Sequence, residues 1–137
     1  MKKSVSIMLS VFLMLSLLAA CGSTGKLSSD FDESVVAGKA EAVIKLLNDG
    51  DYTSVEYMVR DDLKKQLSAD ILRDVMDPLY EKAGKFDSFG AEKIAGTTAK
   101  DGTEYAVAAI EARYENATMI YTISFDKDYH LVGFYIK

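Results

Sequence analysis

Apolar and polar residues alternate along this chain in three rhythms. Residues 4–20 carry no charge and follow Lys2 and Lys3. Between residues 31 and 83 apolar positions recur every three or four residues, and from Phe86 onward they recur every two. Along 31–48, Val36, Ala40, Val43, Ile44 and Leu47 make one helical stripe. Ser29 or Asp30 stands where a cap belongs, and Asn48-Asp49-Gly50 supplies a stop, because Gly accepts the left-handed conformation. Asp51 opens a second helical segment with Tyr52, Val55, Val59 and Leu63 on one side, interrupted at Arg60-Asp61-Asp62. Ser68 caps a third helix, in which Ile71, Leu72, Val75, Met76, Leu79, Tyr80 and Ala83 keep helical spacing as far as Gly84. Pro78 lies inside it, removes a backbone donor and crowds the preceding turn, so a kink or break is expected near Asp77.

The period-two half predicts strands. Residues 86–98 form a glycine-interrupted strand, placed at an edge or bulged near Gly90. Lys100-Asp101-Gly102-Thr103 is a hairpin signal, since Asp-Gly suits the positive dihedrals of tight turns. Residues 104–115 and 117–126 are the two clearest strands, joined at Asn116, and 130–136 is the last. Three helices followed by a four-stranded antiparallel meander predict an α+β fold with the helices on one face of the sheet.

Charge and cysteine content narrow the location. The stretch 4–20 is short for a membrane span, which needs about 20 apolar residues, and it ends in the small pair Ala19-Ala20. Cys21 follows at once and is the chain's one cysteine, so it has no disulfide partner in its own chain. Leu18-Ala19-Ala20-Cys21 resembles the lipobox of bacterial lipoproteins, where the thiol receives a diacylglyceryl group and the chain is cut before the cysteine. That resemblance implies a signal peptide over 1–20, a lipidated Cys21, and a protein held on the outer face of the cytoplasmic membrane. In a Gram-negative source the outer membrane is the alternative. Two acyl chains, at about 0.8 kcal/mol per buried methylene, anchor stably where one does not.

Residues 21–29 after the cut are rich in Gly and Ser and read as a flexible tether, leaving 30–137 as one domain. Removing Lys2 and Lys3 with the signal leaves 14 basic against 21 acidic residues, a net charge of −7. No basic patch of the kind that grips phosphates is present, which argues against nucleic acid as a partner.

Several short segments together resemble the family known as domain of unknown function 3887. They are Leu47-Asn48-Asp49-Gly50-Asp51-Tyr52, Asp62-Leu63-Lys64-Lys65-Gln66-Leu67, Ala83-Gly84-Lys85-Phe86, Ser124-Phe125-Asp126 and Leu131-Val132-Gly133-Phe134. The resemblance spans roughly residues 33–137. It implies an exported bacterial protein and a fold like the nuclear transport factor 2-like cone, a curved sheet wrapped around helices. The family defines no catalytic residue, so none carries over, and the hydrolase domain that follows in some of its members is absent from this sequence.

Cones of this type often hold an apolar cavity between sheet and helices, and tyrosine, with an apolar ring and a polar tip, suits one. Tyr105, Tyr114, Tyr121 and Tyr135 fall on predicted strands, and Tyr105, Tyr121 and Tyr135 with Met119 make the candidate ligand-binding set. The alternative is that these rings pack the sheet or a dimer interface. Glu111 and Arg113 share one face of a strand: buried, they would orient a polar ligand; exposed, they form a surface bridge. His130 sits at a turn and reads as exposed. Asp49-Gly50-Asp51 and Asp126-Lys127-Asp128 lack the ligand spacing of a calcium loop, and one histidine does not make a zinc site, so no metal or cofactor is expected. No nucleophile elbow, phosphate loop or dinucleotide fingerprint occurs. The expectation is a lipid-anchored, non-enzymatic module binding a small ligand or a protein. The alternatives are a small cone-type enzyme using Glu111 with a tyrosine, and a structural homodimer.

Overall fold

A computed structural model describes residues 25–137. The expected signal peptide over 1–20 and the expected lipid acceptor Cys21 lie outside the described residues. Helix α1 is Glu33–Asn48, α2 is Tyr52–Met58 and α3 is Ala69–Ala83, with a single 3-10 turn at Asp61–Leu63 between the last two. The strands β1 (Phe86–Thr98), β2 (Glu104–Tyr114), β3 (Thr118–Phe125) and β4 (Leu131–Ile136) pair antiparallel in the order β1-β2-β3-β4. No helix among the described residues is long and apolar enough to cross a membrane.

Local chemistry sets the helix ends. The cap of α1 is Asp32, two residues beyond the expected Asp30: its Oδ1 accepts from the Ser34 amide at 2.9 Å. Phe31 is buried against the Tyr129 ring, and this contact fixes where the chain turns into the helix. Gly50 takes φ +71° after α1, and Asp51 then caps α2 through the Ser54 amide. Ser68 caps α3 as its sequence position predicts.

Of the kink or break expected near Asp77, the break does not occur; α3 runs through Pro78 to Ala83. Pro78 faces solvent, where its ring displaces no core side chain. Leu72, Met76 and Ala83 bury on either side of it, and the Tyr52 hydroxyl bonds Asp77, which holds the turn in place.

β2 and most of β3 alternate as period two requires, whereas β4 is buried on both faces over Leu131–Phe134. Ala106, Ala108, Ile110, Ala112 and Tyr114 of β2 face the helices, opposite Met119, Tyr121, Ile123 and Phe125 of β3. Together with Val36, Val43, Ile44 and Leu47 of α1 and the buried positions of α2 and α3 they form one core. β1 loses register between Phe86 and Ser88 and again between Phe89 and Glu92, around Gly90.

Residues 25–29, which composition assigns to the tether, run beside β1. Gly25 and Gly96 exchange two backbone hydrogen bonds of 2.8 and 2.9 Å. The close approach requires glycine at 96, because a Cβ there would lie 2.6 Å from the Lys26 carbonyl oxygen.

Candidate functional site

Three tyrosines from three elements meet where the core reaches the end of the sheet formed by the start of β1 and the β2–β3 turn. Tyr80 comes from the last turns of α3, Tyr114 ends β2 and Tyr121 lies within β3. Their hydroxyls are in series: Tyr80 to Tyr121 at 2.9 Å, Tyr121 to Tyr114 at 2.6 Å, and Tyr114 to Asn48 Oδ1 at 2.6 Å. Each phenol has one proton, so the last bond fixes the direction of the others. Tyr114 spends its proton on Asn48, and its oxygen accepts from Tyr121. Tyr121 in turn accepts from Tyr80.

The rings of Tyr80 and Tyr114 stack with centroids 5.8 Å apart, and Phe86 meets Tyr114 edge-on at 5.6 Å. Burial pushes the Tyr121 phenol far above its ordinary value of 10.0, and the neighbouring phenols Tyr80 and Tyr114 push it further. Tyr80 is raised chiefly by burial too, and so is Tyr114, where hydrogen bonds with Tyr121, Tyr80 and Asn48 oppose the rise. These hydroxyls therefore stay protonated at neutral pH. They can donate and accept hydrogen bonds, but they are poor bases.

An open cleft of about 410 Å³ lies against this chain. It is lined by the rings of Tyr80, Phe86 and Tyr114, by Asn48 and Gly84, and by the exposed Lys85 and Glu115. Gly84 adopts φ +79°, and a Cβ there would lie 2.7 Å from Glu115 Oε2. The Asn48 Nδ2 is buried with no hydrogen-bond partner among the described residues, although its oxygen is engaged.

The residues singled out from sequence divide between the two faces of the sheet. Met119 and Tyr121 face the core; Tyr121 is wholly buried behind the cleft, and its hydroxyl also lies 3.9 Å from the Met119 sulfur. Tyr105, Glu111 and Arg113 lie on the opposite face of β2, and Tyr135 on the opposite face of β4. The six do not form one site, since neighbours of odd spacing along a strand point opposite ways. Glu111 and Arg113 pair with each other at 2.9 Å across a largely exposed surface, which separates Glu111 from the phenols. Tyr105 lies beside Arg60, whose guanidinium is held charged first by Asp62 and also by Tyr105. His130 is exposed, 3.4 Å from Asp126. Asp126, Asp128 and His130 cluster on that turn, where Asp126 Oδ1 accepts from the amides of Asp128 and His130.

Tyr80, Asn48 and Phe86 were not singled out from sequence. The first two lie on helices, where a polar tip at a helical-stripe position reads as an ordinary core edge.

The sequence profile of a family described as proteins of unknown function, DUF3887, matches residues 40–134, well over half the chain. The protein belongs to the DUF3887 family. Among solved structures, the DUF3887 chain is similar to the NMR structure of a protein from Ruminococcus gnavus ATCC 29149. The two share 29% identity with a TM-score of 0.69, over 81% of this chain and 96% of that one. No curated protein matches the chain. The profile's match takes in all the residues at the phenol chain and the cleft, from Asn48 to Tyr121.

Proposed function

We propose that this protein is a membrane-anchored, extracytoplasmic binding domain that holds a small ligand in the cleft between Tyr80, Phe86 and Tyr114. The anchor reading is supported by the charged start, the uncharged stretch and Leu18-Ala19-Ala20-Cys21. Helices lying against one face of an antiparallel sheet, with a cleft at their junction, support a nuclear transport factor 2-like cone as the fold.

The observation that carries the binding reading is the ordered phenol chain forming the back of an open, aromatic-walled cleft. Its volume of about 410 Å³ falls within the usual range for small-molecule sites. Stacked rings suit a ligand with a flat apolar face, and the flanking Lys85 and Glu115 suit polar substituents on its edge. Binding fits better than acid–base chemistry, because a general base needs a pKa near the working pH and burial moves all three phenols away from it.

Two measurements test this. Native mass spectrometry of the detergent-extracted lipoprotein, compared with the denatured chain, is expected to show a bound mass that disappears in Phe86→Ala. A clean apo monomer overturns the ligand reading in favour of a protein partner, and a clean dimer assigns the sheet face to self-association. For the anchor, Cys21→Ser is expected to lose both the diacylglyceryl mass and the cut before residue 21; a variant retained and processed like the parent refutes lipidation.

A further inference from the structure

The two ends of the sheet are chemically different. Thr98, Glu104, Phe125 and Leu131 meet at one end, and Phe86, Tyr114, Thr118 and Ile136 at the other. The cleft belongs to the second end, since Phe86, Tyr114 and Glu115 line it. The N-terminal segment from Gly25 to Asp32 belongs to the first.

That segment is fastened there at three points. Gly25 pairs with Gly96 through two backbone hydrogen bonds. Asp30 bonds Lys127 at 2.6 Å, and Lys127 also reaches Glu104 at 3.2 Å. Phe31 packs edge-on against Tyr129, whose hydroxyl accepts from the Asp32 amide at 2.9 Å. Four backbone steps separate Cys21 from Gly25, so covalent geometry limits that distance to about 14 Å. Phe86 lies ten residues before Gly96 in β1, roughly 30 Å along a strand.

We infer that docking of residues 25–32 on the sheet fixes the domain's orientation on the lipid surface. The β1–β2 and β3–β4 turns then face the membrane, and the cleft opens away from it. The inference rests on the proposed lipid anchor at Cys21. Surface charge does not supply the orientation, because Asp101, Glu104, Asp126 and Asp128 outnumber Lys100 and Lys127 at the membrane-facing end. The fastening does. A cleft held at this distance takes its ligand from the aqueous phase outside the cell membrane and has no access to the acyl chains of the bilayer.

The test uses the full lipidated protein in vesicles. With Cys21 consumed by lipid, a single introduced cysteine is the only free thiol. A fluorophore on Lys100→Cys is expected to be quenched at least threefold more by headgroup-labelled quencher lipid than one on Lys137→Cys at the opposite end. Gly96→Val, which forces Lys26 away from the strand, is expected to bring that ratio close to one. If Gly96→Val does not fold, inserting about a dozen Gly/Ser residues before Gly25 lengthens the connection, leaves the core untouched, and is expected to reduce the ratio in the same way. A ratio near one or inverted in the parent protein, with the protein still floating with vesicles, overturns the orientation and leaves the anchor standing. A ratio unchanged in Gly96→Val overturns the role of the Gly25–Gly96 pairing. Failure of the parent protein to float with vesicles overturns the anchor, and the orientation falls with it.

Discussion

Replacing Tyr121 by Phe removes one oxygen from the middle of the phenol chain and leaves the ring in place. The hydroxyl is fully buried and bonds two other phenols, Tyr80 at 2.9 Å and Tyr114 at 2.6 Å, besides its long contact to the Met119 sulfur. Each such bond contributes about 1 kcal/mol net, and a buried group left without its partner costs about 1–3 kcal/mol. Tyr80 borders the open cleft, so water can satisfy it; Tyr114 keeps Asn48 but loses its donor. The expected destabilisation is therefore about 2–3 kcal/mol. Unfolding entropy near 2.1 cal/mol/K per residue over residues 25–137 gives about 4 °C per kcal/mol, so Tm should fall by about 8–12 °C. Calorimetry at pH 7 measures this, with Tyr57→Phe as control. Tyr57 is 76% exposed, and its hydroxyl should matter by less than about 0.5 kcal/mol. In a double-mutant cycle, Tyr80→Phe and Tyr121→Phe should be less costly together than separately by about 1 kcal/mol. A fall in Tm below about 3 °C, or strict additivity of the pair, would refute the reasoning, because it would mean the hydroxyls do not depend on one another.

Alkali should unfold the protein through the same groups. Burial raises the folded-state values of Tyr121, Tyr80, Tyr114 and Tyr52 above 10, so the unfolded chain loses these protons first. Between pH 8 and about 10 stability should be level, and it should fall as pH rises further, with a shallower fall in Tyr121→Phe; urea midpoints between pH 8 and 11 would show this. Pro78→Ala restores a bond from residue 78 to the Asp74 carbonyl in an exposed stretch of α3 and should stabilise by about 1 kcal/mol in thermal melts. A loss would mean that the proline ring contributes more than its missing donor costs. Gly84→Ala puts a Cβ at φ +79° against Glu115 and Asn116 and should destabilise by about 1–2 kcal/mol in urea titrations.

Sequence periodicity reads the order of elements well because burial here is one-sided. Each helix has one apolar stripe, β2 alternates throughout and β3 as far as Ile123, so the α+β order follows from 3.6- and 2-residue rhythms. Local signals fail where a distant contact decides. Pro78 predicts a break, yet burial of Leu72, Met76 and Ala83 around it keeps α3 whole. Gly and Ser before Asp30 predict a loose tether, but nothing local announces that Gly25 pairs with Gly96, seventy-one positions away. Of the site residues named from sequence, none lines the cleft itself. Tyr121 and Met119 do face the core beside the cleft, whereas Tyr105, Tyr135, Glu111 and Arg113 sit across the sheet from it. Strand parity alone separates Tyr105 from Tyr114, but not which parity faces the helices. Tyr80 and Asn48 reach the site only through helix packing.

The position of the cleft follows from how side-chain volume is shared across β2 and β3. Ala106 stands opposite Phe125, Ala108 opposite Ile123 and Ala112 opposite Met119, so small residues on one strand accommodate large ones on the next. Ile110 opposite Tyr121 is the first position where both partners are large, and there the tyrosine tip needs polar company inside the core. Tyr114, four residues further along the same face, and Tyr80 from α3 provide it. Beyond Tyr114 β2 ends, β1 begins at Phe86, and the chain turns at Glu115 and Asn116. The helices end there too, at Asn48 and Ala83, leaving Tyr80 and Phe86 only half-buried, with Tyr114 behind them. An aromatic cleft backed by a closed chain of phenols thus arises where α1, α3 and β2 all stop, at the end of the sheet opposite the one that holds the N-terminal segment.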